Sequence, residues 1–165
     1  AWSGDPLLAG KIAAAMVRGI QSRHIAATVK HFACNNKETN RKNSDSRLSQ
    51  RALREIYLRA FEITVREAGP WAIMSSYNII NGHRASECRE LLTGILRDEW
   101  GYTGVVMTDW WTKGEHYKEI LAGNDLKMAN GYPERVRQAM NLGLLSRSDL
   151  EVCARRILEL ILKID

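Results

Sequence analysis

The chain alternates between two kinds of hydrophobic pattern, and that alternation leaves few architectures open to it. Three short runs are rich in apolar and β-branched residues: Ala26–Ala33 (AATVKHFA), Ala72–Asn78 (AIMSSYN) and Gly104–Trp110 (GVVMTDW). Each has the length and makeup of a buried strand. A weaker fourth run is Asn124–Ala129 (NDLKMA). Between and around them lie longer stretches whose apolar residues recur every three or four positions, as on one face of a helix. The order read from the sequence is one helix, four strand–helix units, and a last helix. Strands alternating with helices at this spacing predict right-handed βαβ units and a parallel sheet, hence an α/β fold.

Local signals place the boundaries. Asp5-Pro6 starts the first helix as N-cap and first helical residue. Leu8, Ile12, Ala15, Met16, Gly19 and Ile20 form its expected apolar stripe. A polar loop runs from Cys34 to about Leu48, and Ser49 caps a long second helix, with Leu48 set to staple onto Leu53. That helix should bury Leu53, Ile56, Tyr57, Ala60, Phe61, Thr64, Val65 and Ala68, and stop at Gly69-Pro70. Asn81-Gly82 marks a turn, and Glu87–Trp100 reads as a helix ended by Gly101. Thr112 and Glu115 have capping-box spacing for a helix to about Ala122, and Pro133–Leu144 follows as another. Ser148 with Glu151 is a second expected box, opening the last helix.

Composition narrows the function. The formal net charge is +5, and eight cations crowd Lys37 to Arg66. They fall on a loop and on the polar side of one amphipathic helix, without interleaved stacking aromatics, so a solvated face is expected rather than a nucleic-acid stripe. No apolar run approaches the ~18 residues of a membrane span, and a membrane partner is not expected. The three cysteines, Cys34, Cys88 and Cys153, lack zinc-type or redox-type spacing and fit a reducing, cytoplasmic-type compartment. Glu115 and His116 lack the zinc-protease spacing, and there is no glycine-rich phosphate loop; neither metal nor cofactor is implied.

In a parallel α/β protein the carboxyl ends of the strands face the ligand site. The three better strands end in Lys30-His31, Tyr77-Asn78 and Asp109-Trp110. A cation, an imidazole, a phenol, an amide, a carboxylate and an indole would therefore share one rim. That set suits a sugar, with polar groups for its hydroxyls and an aromatic face for its C–H surface. Each residue also has a plainer role open to it. Asp109 could cap the next helix, Lys30 could snorkel, His31 could be a core histidine, and Tyr77 and Trp110 could be packing aromatics.

The same residues carry a resemblance. Ala27-Thr28-Val29-Lys30-His31-Phe32 with Asn35, Asn36, Glu38 and Arg41, then Arg54-Glu55-Ile56-Tyr57-Leu58 and Met74-Ser75-Ser76-Tyr77-Asn78, resemble segments of glycoside hydrolase family 3 β-glucosidases. So do Leu91-Leu92-Thr93, Glu99-Trp100-Gly101, Thr108-Asp109-Trp110 and Ala122-Gly123-Asn124-Asp125-Leu126, in the family's order. The resemblance implies the carboxyl-terminal half of a (β/α)₈ barrel, with the whole of residues 1–165 as one partial domain. A complete barrel takes roughly 250 residues, and the Ala1-Trp2-Ser3 start, without Met, reads as a cut.

It also implies roles. Asp109 would attack the anomeric carbon, Lys30 and His31 would bind glucosyl hydroxyls, and Tyr77 would lie beside the nucleophile. Trp110 would border the sugar sites, and Arg41 would add a polar contact. A retaining mechanism on a terminal β-glucoside or oligosaccharide is the expected activity, with the acid/base glutamate supplied from outside the chain. The sister β-N-acetylhexosaminidases carry a Pro-Gly-His in the loop that here reads Ala33-Cys34-Asn35-Asn36-Lys37, so that branch is disfavoured. Two competing expectations are a non-catalytic saccharide-binding fragment, and a structural half-barrel without function until it pairs with another barrel half, or with itself as a homodimer.

Overall fold

The computed structural model describes residues 3–165; the Ala1-Trp2 start lies outside them. In chain order the elements are α1 (Pro6–Gln21), β1 (Thr28–Phe32), β2 (Asp45–Ser46), α2 (Gln50–Ala52), α3 (Arg59–Ala68), β3 (Ala72–Ser75), β4 (Ile79–Ile80), β5 (His83–Arg84), β6 (Val105–Thr108), α4 (His116–Ala122), α5 (Pro133–Asn141) and α6 (Arg147–Ile164). A π-helical turn, Leu53–Tyr57, joins α2 to α3, and a longer π-helix spans Glu90–Glu99. The three strong runs form one parallel sheet in the order β1-β3-β6, so the chain is α/β as expected.

The fourth run is not a strand. Only Met107 and Leu126 bridge, because side chains take part of the ladder's place on that side of β6, where Val106 O still accepts the Asp125 N–H at 2.7 Å. Odd-numbered residues of β6 donate inward, Val105 N–H to Trp71 O at 3.0 Å, while Thr108 N–H turns outward to Leu126 O at 2.9 Å. The next outward donor, Val106 N–H, meets the Asp125 carboxylate at 2.8 Å instead of a backbone carbonyl. Met128 N–H likewise goes to the Thr108 hydroxyl at 3.0 Å. The expected polar loop also holds structure: β2 pairs parallel with β4, which pairs antiparallel with β5, making a second small sheet.

Caps fell where short polar residues allowed. Asp5 accepts from the N–H groups of Leu7 and Leu8, and Ser49 from Ala52, both as read from the sequence. Gly69 ends α3 at φ 51°, and Gly101 follows the π-helix at φ 73°, the left-handed turns glycine enters without a Cβ clash. The other two boxes differ. Thr112 caps nothing; its hydroxyl donates to Glu119, and α4 starts later, at His116. The last helix is capped by Ser146 with Asp149, not by Ser148 with Glu151.

Two apolar faces are rotated from their expected positions. α1 buries Gly10, Ala13, Ala14 and Val17, whereas Leu8 and Met16 stay about half exposed. Small residues win because α1 packs closely on α3: a Cβ on Gly10 would meet Ile63 at 2.9 Å. On the second helix, the Leu58 N–H bonds to Leu53 O at 2.8 Å, five residues back. That extra residue per turn brings both Leu53 and Leu58 inward and turns Ile56 and Tyr57 outward. The core gathers on the sheet, where Phe32, Ile73 and Val106 meet Leu58, Leu92, Ile95 and Leu96 with almost no exposure. Phe32 packs edge-on to Phe61 and Trp100, with centroids 5.1 and 5.9 Å away. Each such side chain contributes roughly 1.5–3 kcal/mol. The basic stretch is spent on intramolecular ion pairs, Arg51–Glu55, Arg54–Glu99, Arg59–Glu62 and Arg66–Glu62. Among the described residues no helix is long and apolar enough to cross a membrane.

Candidate active site

Asp109 is the first residue past β6, and its N–H continues the ladder to Ser75 O at 3.1 Å. The residue is only 6% exposed. Oδ1 accepts the Trp110 N–H at 2.7 Å, which fixes the carboxylate to its own loop. Oδ2 faces Nε2 of His31, 3.4 Å away, at the end of the outer strand β1. The two strand ends are joined across β3, where Ser76 N–H donates to Phe32 O and the Ser76 hydroxyl to Ala33 O, both at 2.8 Å.

Tyr77 follows β3 and is nearly buried; its phenol donates a short hydrogen bond to Trp110 O. Burial first, and then the negative charge of Asp109, push the Tyr77 phenol above its ordinary range, so it stays a donor. Arg41 lies over the Tyr77 ring at 4.8 Å and is held by Glu38 at 2.9 Å. Burial lowers the pKa of His31; Asp109 opposes that, and Lys30 and Arg41 reinforce it.

The structure thus brings Asp109, His31, Tyr77, Trp110 and Arg41 to one rim. It does not bring Lys30 to the carboxylate: the side chain is exposed, and among the described residues no hydrogen bond or ion pair engages it. Trp110 is 44% exposed, which is not the behaviour of a packing aromatic. Two rim residues escaped the sequence reading. Trp111 stands edge-on to Trp110, centroids 5.4 Å apart, with its backbone at φ 53°. Lys42 donates to Trp111 O at 3.3 Å and lies 5.0 Å over the Tyr77 ring. The doubled tryptophan was a visible signal; Lys42 was hidden in a run of charges. Cys34 is buried beside this rim, and burial pushes its thiol up to about 12, so it carries no nucleophilic chemistry near neutral pH. Among the described residues no three His, Cys, Asp or Glu side chains cluster to hold a metal ion.

The rim thus holds a buried carboxylate with one oxygen tied down and the other facing an imidazole, bordered by a phenol and two open indoles: a charged oxygen, hydrogen-bonding groups and apolar faces together. Comparison with known proteins identifies the family of the chain. The family model for the glycosyl hydrolase family 3 N-terminal domain matches residues 1–160. β-Glucosidase A of Butyrivibrio fibrisolvens is 65% identical over 150 residues, which is 91% of this chain and 18% of that protein. An exo-α-(1→6)-L-arabinopyranosidase of Bifidobacterium longum is 44% identical over 163 residues, 98% of this chain and 22% of that one. The structure of β-glucosidase 3B from Thermotoga neapolitana in complex with glucose superposes with a TM-score of 0.94 at 42% identity, covering 98% of this chain and 24% of that one. The chain therefore spans about a fifth of the length of the curated relatives it matches.

Proposed function

Because the chain belongs to glycosyl hydrolase family 3 through its N-terminal domain, a TIM-barrel-like α/β fold, we propose that it is the second half of the catalytic barrel of a retaining β-glucosidase. The observation that carries this reading is the Asp109 carboxylate at the carboxyl end of β6. Oδ1 is occupied by the Trp110 N–H, so Oδ2 is the oxygen that attacks the anomeric carbon. The attack forms a glycosyl-enzyme ester and expels the aglycone; water then cleaves the ester and returns the carboxylate. His31 donates to a glucosyl hydroxyl next to Oδ2, Tyr77 braces the Trp110 carbonyl, and Trp110 offers its open face to the sugar. Lys30 and Arg41 are hydroxyl contacts at the edge of the site, Lys30 only once a substrate bridges the gap.

A second carboxyl group about 5–5.5 Å from the first must act as acid/base. No residue of this chain matches the acid/base glutamate that the family resemblance implies, so we assign that group, and the first barrel half, to other parts of a larger enzyme. The higher identity to a β-glucosidase than to the arabinopyranosidase favours a glucoside as substrate.

Replacing Asp109 with Asn in the complete enzyme tests this. The amide retains an acceptor for the Trp110 N–H, so folding should change little. Loss of covalent catalysis should lower kcat on an aryl β-glucoside at least about a thousandfold, near 4 kcal/mol. A variant retaining more than about a tenth of the wild-type kcat, a loss under ~1.4 kcal/mol, would remove Asp109 from the role.

A further inference from the structure

Behind the rim lies a buried polar cluster that the proposed chemistry does not use. Glu119 on α4 has no exposed surface and Lys127 is 8% exposed. Their side chains form an ion pair in direct contact. Every polar atom of the pair is occupied. Glu119 Oε1 accepts from the Ser86 hydroxyl at 2.9 Å and the Thr112 hydroxyl at 2.6 Å, while Oε2 takes the lysine. The ammonium gives its other two protons to Thr112 Oγ1 at 3.0 Å and Gly114 O at 3.3 Å.

The cluster grips the nucleophile's loop from beyond. Thr112 and Gly114 lie three and five residues after Asp109, and both are held by Lys127. The strand side is held through the same group: Asn124 Nδ2 donates to Ser86 O and Glu119 O, and Asn124 Oδ1 accepts from the Ser75 hydroxyl at 2.8 Å. Ser75 O in turn holds the Asp109 N–H. Asp109 is thus fastened before and after by one hydrogen-bonded unit. The fit is tight, since a Cβ on Gly114 would sit 2.4 Å from Glu119 Oε1. A buried ion pair is weak evidence for stability, because desolvation offsets its attraction. Its value here is geometric: a lysine with three fixed acceptors sets where the loop must lie.

We propose that Lys127 and Glu119, acting through Thr112, are positioning residues that hold the Asp109 loop in its attacking geometry. This rests on Asp109 being the nucleophile. The step they serve is transfer of a glucosyl group to Asp109, in which the Oδ2–C1 bond forms and the bond to the leaving group breaks.

The test is the rate at which the complete enzyme is trapped by 2-deoxy-2-fluoro-β-D-glucosyl fluoride, which leaves fluoride as anion and needs little acid assistance. Lys127→Met and Thr112→Val should each slow trapping 10- to 100-fold, the size of effect that a displacement near 1 Å produces. Thr112→Ser, which keeps the hydroxyl, should restore most of the rate. The double variant Lys127→Met/Thr112→Val should be no slower than the worse single one, because the two act as one unit. The inhibition constant of glucose, a ground-state measure, should move less than about twofold in all of them, the pattern of an interaction needed for reaction rather than binding. Trapping at the wild-type rate, additive losses, or losses matched by equal losses of glucose affinity would each overturn the inference. If Lys127→Met does not fold, the Thr112→Val and Thr112→Ser pair decides alone. Peptide mapping of trapped wild type separates the two readings: label away from Asp109 sinks the nucleophile assignment itself, and this inference with it.

Discussion

Asp125 stands in for one backbone acceptor along β6, that of the Val106 N–H, and its removal makes a quantitative test of that role. Its side chain is fully buried, with Arg97 on one oxygen at 2.8 Å and Arg156 on the other at 2.9 Å. The oxygen bonded to Arg97 also accepts the Val106 N–H. Asp125→Ala deletes three charge-assisted or buried bonds at once. Breaking a buried pair by removing one partner costs about 3–5 kcal/mol. The stranded Val106 donor adds roughly 1–3 kcal/mol if no water reaches it. Against this, Arg97 keeps the carbonyls of Gly104 at 3.0 Å and Gly123 at 3.1 Å, so its charge is not left bare. Arg156 is partly exposed and can rehydrate. The lower end of the range should therefore hold, about 3–4 kcal/mol in total. That is a large part of the ~5–15 kcal/mol a domain has. Asp125→Asn, which keeps one acceptor, should lose about half as much. Urea unfolding followed by the fluorescence of the buried Trp100 measures both. An alanine variant within 1 kcal/mol of wild type would mean the arginines and Val106 find water freely, and the ladder argument would be wrong.

Three further outcomes follow from the same geometry. Burial depresses the pKa of His31, and that of His116, where Lys127 adds to the effect, so the unfolded chain binds protons more readily than the folded one. Stability should then fall as pH drops below about 6.5 toward the folded pKa values, and His31→Gln should flatten part of that slope in urea midpoints taken from pH 5 to 8. Cys34 and Cys153, pushed up to about 12 and about 11 by burial, should resist iodoacetamide at pH 8 in the native protein and react quickly in urea; rapid native labelling would contradict their burial. The isolated chain should self-associate, since β1 is an open sheet edge and Leu158, Ile161 and Leu162 are exposed along α6; light scattering showing a soluble monomer at micromolar concentration would refute this.

What the sequence made legible was whatever repeats or sits at an end. The three strands of the sheet were readable because β-branched runs such as Val105-Val106 have no polar face to present. Asp109, His31 and Tyr77 were readable because polar groups closing apolar strands stand out against them. The rest depended on single-residue offsets and on distant partners. One extra residue wound into the turn at Leu53–Tyr57 rotated the helix face, and no periodicity count registers a single insertion. Asn124–Ala129 looked like a strand by composition, yet Asp125 and Thr108 use side chains where a ladder would use backbone. Thr112 looked like a cap because hydroxyl and carboxylate have the right spacing, but its hydroxyl faces Glu119, seven residues on, inside the protein. Lys127 was read as a strand residue for the same reason: nothing local announces that its ammonium has three acceptors waiting. Chemistry borne on strand ends is local and shows in one chain, whereas the network that holds it in register is made of pairs whose members are each unremarkable alone. The loop after β6 therefore has two descriptions of different origin, a motif that names the proposed nucleophile and a buried ion pair, visible only in three dimensions, that is proposed to set where it stands.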